Sequence, residues 1–362
     1  MKNNNESKFT AGAKDSQLIC KLALDTHAKT IVVARQVDGL RPQPPQRFFV
    51  DEFLVWVQKE VMNGAKIYSC YEAGPTGYWL HRRLTDMGVT NYVVCPTRLD
   101  SRGKGVNTDK TDATELLVRL DRYVAGNTKA FSVVRVPTVE QEKKRQISRQ
   151  REQLRRKQLS FAAQGRMLLL GQGYRFTNNW WRPRKWKVLQ EAFKESAPDL
   201  VEALECLVRI INVIKEEVSR LTERVAQAAP ASLPRGMGKL THEILDREVR
   251  DWSRFKTRRQ IASYSGLTGG VSGSGEKLAD LSITKAGNRH LSSCVVECAW
   301  RMLRHQPGYW LVKKWRASYL RAETHLRRRK RAIVAFARQM LIDIWKWKTG
   351  KVTPDKLGWE MT

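Results

Sequence analysis

The stretch LICKLALDTHAKTIVVARQVDG, Leu18 to Gly39, holds two apolar runs separated by four residues, Thr26 to Lys29. Runs of this length, rich in Val, Ile and Leu and joined by a short polar link, predict a β-hairpin. The first run ends on an acid, Asp25, and a charge at the edge of a core needs a partner. RFFV, after the proline-rich loop RPQPP, predicts a third strand, and DEFLVWVQKEVMNG predicts a helix ending at Gly64. AKIYSCYEAG is another buried strand, closing on a second acid, Glu72. TGYWLHRRLTDMG reads as a helix stopped by Gly88, TNYVVCP as a strand, and VNTDKTDATELLVRL, Val106 to Leu120, opens a further helix. The order β-β-β-α-β-α-β-α implies a mixed sheet with helices packed on it.

Asp109 and Asp112 lie three apart, on one face of that last helix. Asp109 as N-cap with Asp112 as capping-box partner is one reading of the pair. The other joins them to Asp25 and Glu72. Neighbouring strand ends lie close together, and four carboxylates gathered there repel unless cations neutralise them. Mg²⁺ prefers oxygen ligands, and two such ions would polarise a phosphodiester.

The 362 residues suggest two or three domains, and 41% hydrophobic content supports real cores. The net charge of +30 calls for a polyanionic partner, most simply nucleic acid. Residues 1–130 carry 19 Lys+Arg and 14 Asp+Glu, a net of +5, so the remainder carries +25. That division suggests chemistry in front and grip behind. Cys20, Cys70, Cys95, Cys206, Cys294 and Cys298 form no CxxC pair, which fits a reducing compartment and no zinc site. MKNNNESKF lacks the apolar core of a signal peptide, residues 1–16 read as disordered, and no apolar run approaches a membrane span.

Residues 139–169 predict a basic, glutamine-rich helix with Ile147, Leu154, Phe161 and Leu168 at heptad spacing. Its Lys143, Lys144, Arg145, Arg149, Arg151, Arg155 and Arg156 are candidate nucleic-acid contacts. After the tryptophan-rich FTNNWWRPRKWK, the residues Leu200, Leu204, Leu207, Ile211, Ile214, Val218, Leu221 and Val225 set a coiled-coil seam. The seam serves either subunit joining or packing within the chain. An antiparallel pairing with the basic helix would leave a positive ridge beside it. Beyond Pro230 and Pro234, GLTGGVSGSGEKLADLS reads as a small-residue loop, Cys294 and Cys298 as core filling, and Arg327, Arg328 and Arg329 as a phosphate track.

DTHAKT, YEAGPTGYWL and NTDKTDATELL resemble the three acidic blocks of the DEDD transposases of insertion-sequence family one-ten. GLTGGVSGSG and ITKAGNRHL resemble that family's second, serine-bearing domain. The likeness covers residues 17–125 and 231–305 and is one of character only in between. It implies an RNase H-like (RuvC-like) N-terminal domain over 17–130, a helical coiled-coil middle over 131–229, and a mainly α transposase domain over 230–350 with a tail after it. It also implies that Asp25, Glu72, Asp109 and Asp112 hold two Mg²⁺ ions and that Ser272 is the nucleophile. The interval from that serine to the KAG motif is about one residue longer than the family pattern, which leaves Ser274 as a rival.

The expected activity is therefore DNA cleavage and rejoining through a serine–DNA link, with the bond energy conserved. Lys285 and Arg289 are candidates for extra positive charge near the serine. The resemblance further implies a tetrameric synapse assembled from dimers, an element-encoded guide RNA pairing with donor and target DNA, and a prokaryotic cytoplasmic, nucleoid-associated setting. Two alternatives stand beside it. One is a Mg²⁺-dependent RuvC-like nuclease or junction resolvase using water, and the other a non-enzymatic nucleic-acid scaffold.

Overall fold

The computed structural model describes residues 17–96, 108–274, 277–284, 286–316 and 325–362. The expected disordered segment 1–16 and the first residues of the stretch opening at Val106 lie outside them. The chain forms two compact units, residues 1–136 and 137–362.

The first unit follows the expected order. Strands β1 (Ile19–Thr26), β2 (Thr30–Val37) and β3 (Gln43–Phe49) precede helix α1 (Val50–Met62). Then come β4 (Lys66–Glu72), α2 (Trp79–Asp86), β5 (Thr90–Val94) and α3 (Asp109–Val124). The sheet order is β3-β2-β1-β4-β5. β1, β2 and β3 pair antiparallel, while β4 runs parallel to both β1 and β5. β3 begins earlier than expected and includes Pro44 and Pro45. An edge strand tolerates proline, because its outward positions need no ladder donor.

Side chains alternate across the sheet. Leu22, Leu24, Ile67 and Tyr71 pack with Phe53 and Val57 of α1 and Leu80 and Leu84 of α2. Ala23, Val32, Cys70 and Val94 pack on the other face with Ala113, Leu117 and Leu120 of α3. The described residues of the unit thus form three layers, with α3 the helix on one side.

The second unit holds α4 (Val139–Gly171), α5 (Pro183–Phe193), α6 (Pro198–Ala226), α7 (Lys239–Val249) and α8 (Arg258–Tyr264). A two-stranded hairpin follows, β6 (Gly269–Ser274) with β7 (Lys277–Ile283), and then α9 (Arg289–His305), α10 (Trp310–Arg316), α11 (Leu326–Lys348) and α12 (Pro354–Leu357). The expected small-residue loop is therefore largely a paired hairpin. Residues 275 and 276 at its turn are outside the described set. The closing residues are part of the core rather than a loose tail, with Leu357 and Trp359 buried. Among the described residues no helix is long and apolar enough to cross a membrane.

α4 and α6 pair within the chain. Arg151 near the start of α4 donates to Thr222 near the end of α6, and Leu169 near the end of α4 shares a core with Leu204 near the start of α6. The helices are therefore antiparallel. Leu204, Leu207, Ile211, Leu221 and Val225 of the expected seam are buried here. On α4 the buried positions are Ser148, Ala162, Gly165 and Leu169. Three of them stand one residue beyond the expected Ile147, Phe161 and Leu168; at Ser148, Ala162 and Gly165 small side chains let the neighbouring structure come close, and Leu169 fills the core at the end of the helix.

Gly165 shows how close. Trp180 is fully buried and donates its indole N–H to the Ala162 carbonyl at 2.8 Å. A Cβ on Gly165 would stand 2.0 Å from that ring. Gly165→Ala gains about 1 kcal/mol in helix propensity. Displacing the indole is expected to outweigh it, giving a net loss of about 1–3 kcal/mol, as for overpacked cores. Chemical denaturation followed by tryptophan fluorescence checks this, and a stabilised variant would contradict it.

Candidate active site: a carboxylate cluster at one sheet edge

Register builds the cluster. Leu24 of β1 pairs with Tyr71 of β4, so the next residues, Asp25, one before the last of β1, and Glu72, the last of β4, lie at the same end of two adjacent parallel strands. Each stands two residues beyond a side chain that faces α3, namely Ala23 and Cys70. Asp25 and Glu72 therefore alternate onto the α3 face. Asp25 also lies opposite Val32, and Val32 lies opposite Arg47 of β3. One row across the sheet thus carries Arg47, Val32 and Asp25.

α3 begins at this edge. Its N-cap is Thr108, whose Oγ1 accepts from the Thr111 N–H at 3.3 Å. The alternative in which Asp109 caps the helix is thereby excluded. Asp109 and Asp112 sit in the first turn without serving as the cap, where the helix dipole favours negative charge.

His27 Nε2 lies 3.3 Å from Asp25 Oδ2 and 3.2 Å from Asp109 Oδ2. Arg47 donates to the same Asp109 oxygen at 2.8 Å. Burial pushes the Asp25 carboxyl above its ordinary range; His27 opposes this, and the charges of Asp109 and Asp112 add to it. For Asp109, slight desolvation acts upward, but the hydrogen bonds and charges of Arg47 and His27 hold it below the ordinary range. Two anions are thus forced together, with an imidazole and a guanidinium as the counterweights in this structure. Potential ligand atoms of Asp25, His27 and Asp109 all lie within 4.8 Å of one another. Glu72 is exposed at the same edge. His27 and Arg47 are site residues that the sequence reading passed over. His27 stood inside the quoted DTHAKT, whereas Arg47 arrives only through the pairing of β2 with β3.

A second cluster, His242, Glu243 and Asp246 on α7, has similar spacing. It already contains a cation. Lys348 Nζ is 2.5 Å from His242 Nε2 and 2.9 Å from Asp246 Oδ2. It is an internal ion network.

In the second unit Ser272 pairs in register with Ala279, and Ser274 with Lys277. Their side chains are outside the described set, as is Lys285. Downstream, Asn288 caps α9 by accepting from the His290 and Leu291 N–H groups at 3.1 Å. Its amide donates to Glu248 Oε2 at 2.7 Å, and Glu248, almost fully buried, receives both Nε and Nη2 of Arg149. His290 also bonds Glu152 of α4. The basic helix is thus tied to the motif that follows the serine hairpin.

The segment carrying that hairpin and that motif, residues 232–315, matches the Transposase IS116/IS110/IS902 family. A Sinorhizobium fredii protein named "Putative transposase y4rJ" is 29% identical over 305 residues, covering 76% of this chain and 75% of its own. A second protein of that organism, "Putative transposase y4qE", is 33% identical over 236 residues, with coverage of 65% and 58%. The Coxiella burnetii transposase for insertion sequence element IS1111A is 25% identical over 292 residues, or 77% of each chain. The chain is thus similar to IS110-type transposases, by the family match in its second unit and by relatives that span most of its length.

The expected nucleic-acid contacts fall into different groups in the structure. Arg149 is bound to Glu248 of α7 and Arg151 to Thr222 of α6, so these two hold the α4 packing, while Arg156 pairs with Glu152 one turn away on α4 itself. Lys143, Lys144 and Arg155 are exposed on α4, Arg145 is half-buried there, and Arg289 is exposed at the start of α9. Arg328 is exposed on α11, and Arg329 places its guanidinium 5.3 Å from the centre of the Trp300 ring. The Arg327 side chain lies outside the described set.

Proposed function

We propose that this chain cuts and rejoins DNA as an insertion-sequence transposase, using a serine nucleophile and a Mg²⁺-dependent DEDD site. The observation that carries the reading is the convergence of Asp25, His27 and Asp109, with Glu72 and Asp112 at the same edge. The sheet order, with an acid in the last two residues of β1 and of β4, supports an RNase H-like reading of the first unit.

The donor set fits Mg²⁺. Hard carboxylate oxygens dominate it, and Asp25 is pushed up by burial and by its acidic neighbours, a strain that a divalent cation relieves. When bound, the ions supply positive charge against the charge that develops on phosphate and leaving oxygens. The chain's own groups do the rest. Arg47 and His27 orient Asp109, and β1, β4 and α3 fix the acids on separate rigid elements. Ser272, or its rival Ser274, attacks the scissile phosphorus. A phosphoserine bond forms as the bond to the 3′-oxygen breaks, the serine proton is lost and the leaving oxygen takes up a proton. A 3′-hydroxyl is left, and reversal of the step rejoins the strand.

A guide RNA, and a tetramer built from dimers, complete the reading by family resemblance. The +25 charge beyond residue 130 supports an RNA or DNA partner. Val213 and Ile210, exposed on α6 outside the internal seam, support contact with another subunit.

The test is a denaturing gel of cleaved, end-labelled element DNA. Protein covalently attached to the cut strand is expected, and the adduct should vanish with one of Ser272→Ala and Ser274→Ala. Full cleavage without an adduct in both variants would replace the serine by water.

A further inference from the structure

A cleft of about 460 Å³ opens in the second unit between α8, α10 and α11. Its walls carry Arg258, Arg259, Lys314 and Arg338 together with Trp310 and Trp315, and its described lining contains no acid. Apolar side chains, among them Leu311 and Ile342, complete the lining. The volume falls in the range of about 300–1,000 Å³ that takes small ligands. Among the described lining residues four cations stand beside no carboxylate, which suits an anion, and two indoles beside them suit a flat π-system.

The Trp310 wall is built rather than loose. Asp343, almost fully buried, accepts from the Trp310 indole N–H at 3.0 Å and from the Tyr309 hydroxyl at 2.7 Å. Gln339 donates to the other Asp343 oxygen at 3.3 Å. These bonds fix the polar edge of the indole, while the residue remains 39% exposed. A stacking surface held in this way loses little freedom when a ring lands on it.

We propose that this cleft is a site for one unpaired nucleotide of a nucleic-acid strand, its base stacked on the Trp310–Trp315 wall and its phosphates held by the four cations. Stacking on aromatic side chains is tolerant of base identity, so the site reads strandedness rather than sequence. The strand is DNA or RNA with the same chemistry. The site stands apart from the carboxylate cluster in sequence and in unit, and its test leaves the acids and serines untouched.

The experiment is fluorescence anisotropy on the full chain. The probes are a labelled thymidylate 12-mer, a uridylate 12-mer, a thymidylate 12-mer with central abasic sites, and a blunt 12-base-pair duplex. The intact single strands are expected to bind about tenfold more tightly than the abasic one, within the range set by base–aromatic stacking. Trp310→Ala should erase that difference, and Trp310→Phe should keep most of it. Trp315→Ala provides the same reading if Trp310→Ala does not fold. Arg258→Gln combined with Arg338→Gln should lower the single-strand salt slope by about 1.4, at roughly 0.7 per neutralised phosphate. Preference between thymidylate and uridylate identifies the strand as DNA or RNA, and equal binding assigns the site to both. Equal binding of abasic and intact strands by the unmodified chain would overturn the proposal. So would losses in the tryptophan variants that are as large for the duplex as for the single strands.

Discussion

Asp25→Asn and Asp109→Asn are each expected to lower Mg²⁺-dependent strand cleavage by about 10²–10³-fold, the scale for losing one preorganised electrostatic group. Asparagine keeps the shape and removes the charge, so nucleic-acid binding should be unchanged. Stability separates this outcome from damage to the fold. Asp25 is a carboxylate whose charge is disfavoured in the folded state, first by burial and further by Asp109 and Asp112. A carboxyl raised in this way withdraws stability as the pH climbs through its folded value. Asp25→Asn should therefore leave the melting temperature at pH 7 equal or higher while activity falls. Asp109→Asn differs, because Asp109 is held low by Arg47 and His27 despite slight desolvation, so that variant also loses an ion pair. Loss of activity with a matching loss of melting temperature in Asp25→Asn would mark the acid as structural.

Glu248→Ala is expected to be the most destabilising single change in the second unit. The carboxylate is 1% exposed and joins Arg149 of α4 to Asn288, the cap of α9. Removing one partner of a buried pair costs about 3–5 kcal/mol. At about 2–4 °C per kcal/mol for a unit of this size, the unfolding midpoint should fall by about 10 °C. Burial alone would raise the Glu248 carboxyl, but the Arg149 and Asn288 bonds bring it below the ordinary range. Its contribution to stability is thus fully present above about pH 4.5 and is lost as the pH falls through its folded value. Glu248→Gln should flatten that part of the acid limb. A midpoint shift of under about 1 °C in Glu248→Ala, small even for a surface change, would show that the network is not what holds α9 to α4.

The first unit was legible because its strands are short apolar runs with clear stops, and because an acid at the end of a buried run is conspicuous. Asp25 and Glu72 could be read as strand ends, and Asp109 and Asp112 as one helix face. Their arrival on the same side of the sheet was a matter of register, which periodicity does not give. Arg47 shows this most plainly, since its place beside Asp109 depends on β2 pairing with β3 through an irregular step between Val33 and Arg35. In the second unit, hydrophobic spacing chose large residues for the buried face of α4. The buried face lies one residue further round, where Ala162 and Gly165 admit Trp180 and Leu169 fills the core. Charged residues such as Glu243, Arg247 and Glu248 would pass for a solvent face on α7, yet all three are buried in ion pairs. The Ser272 hairpin was hidden for a related reason. Glycine and serine have low strand propensity, and here pairing with β7 outweighs it.

The most direct measurement is a titration of the full chain with Mn²⁺, as a paramagnetic stand-in for Mg²⁺, followed by electron paramagnetic resonance. If the carboxyl groups of β1, β4 and α3 form a divalent-cation pocket, the unmodified chain takes up Mn²⁺ saturably and Mg²⁺ competes it away. The Asp25→Asn, Asp109→Asn double variant, still folded, takes up none at that site. Equal uptake by the double variant, or no saturable uptake by the unmodified chain, would contradict the account.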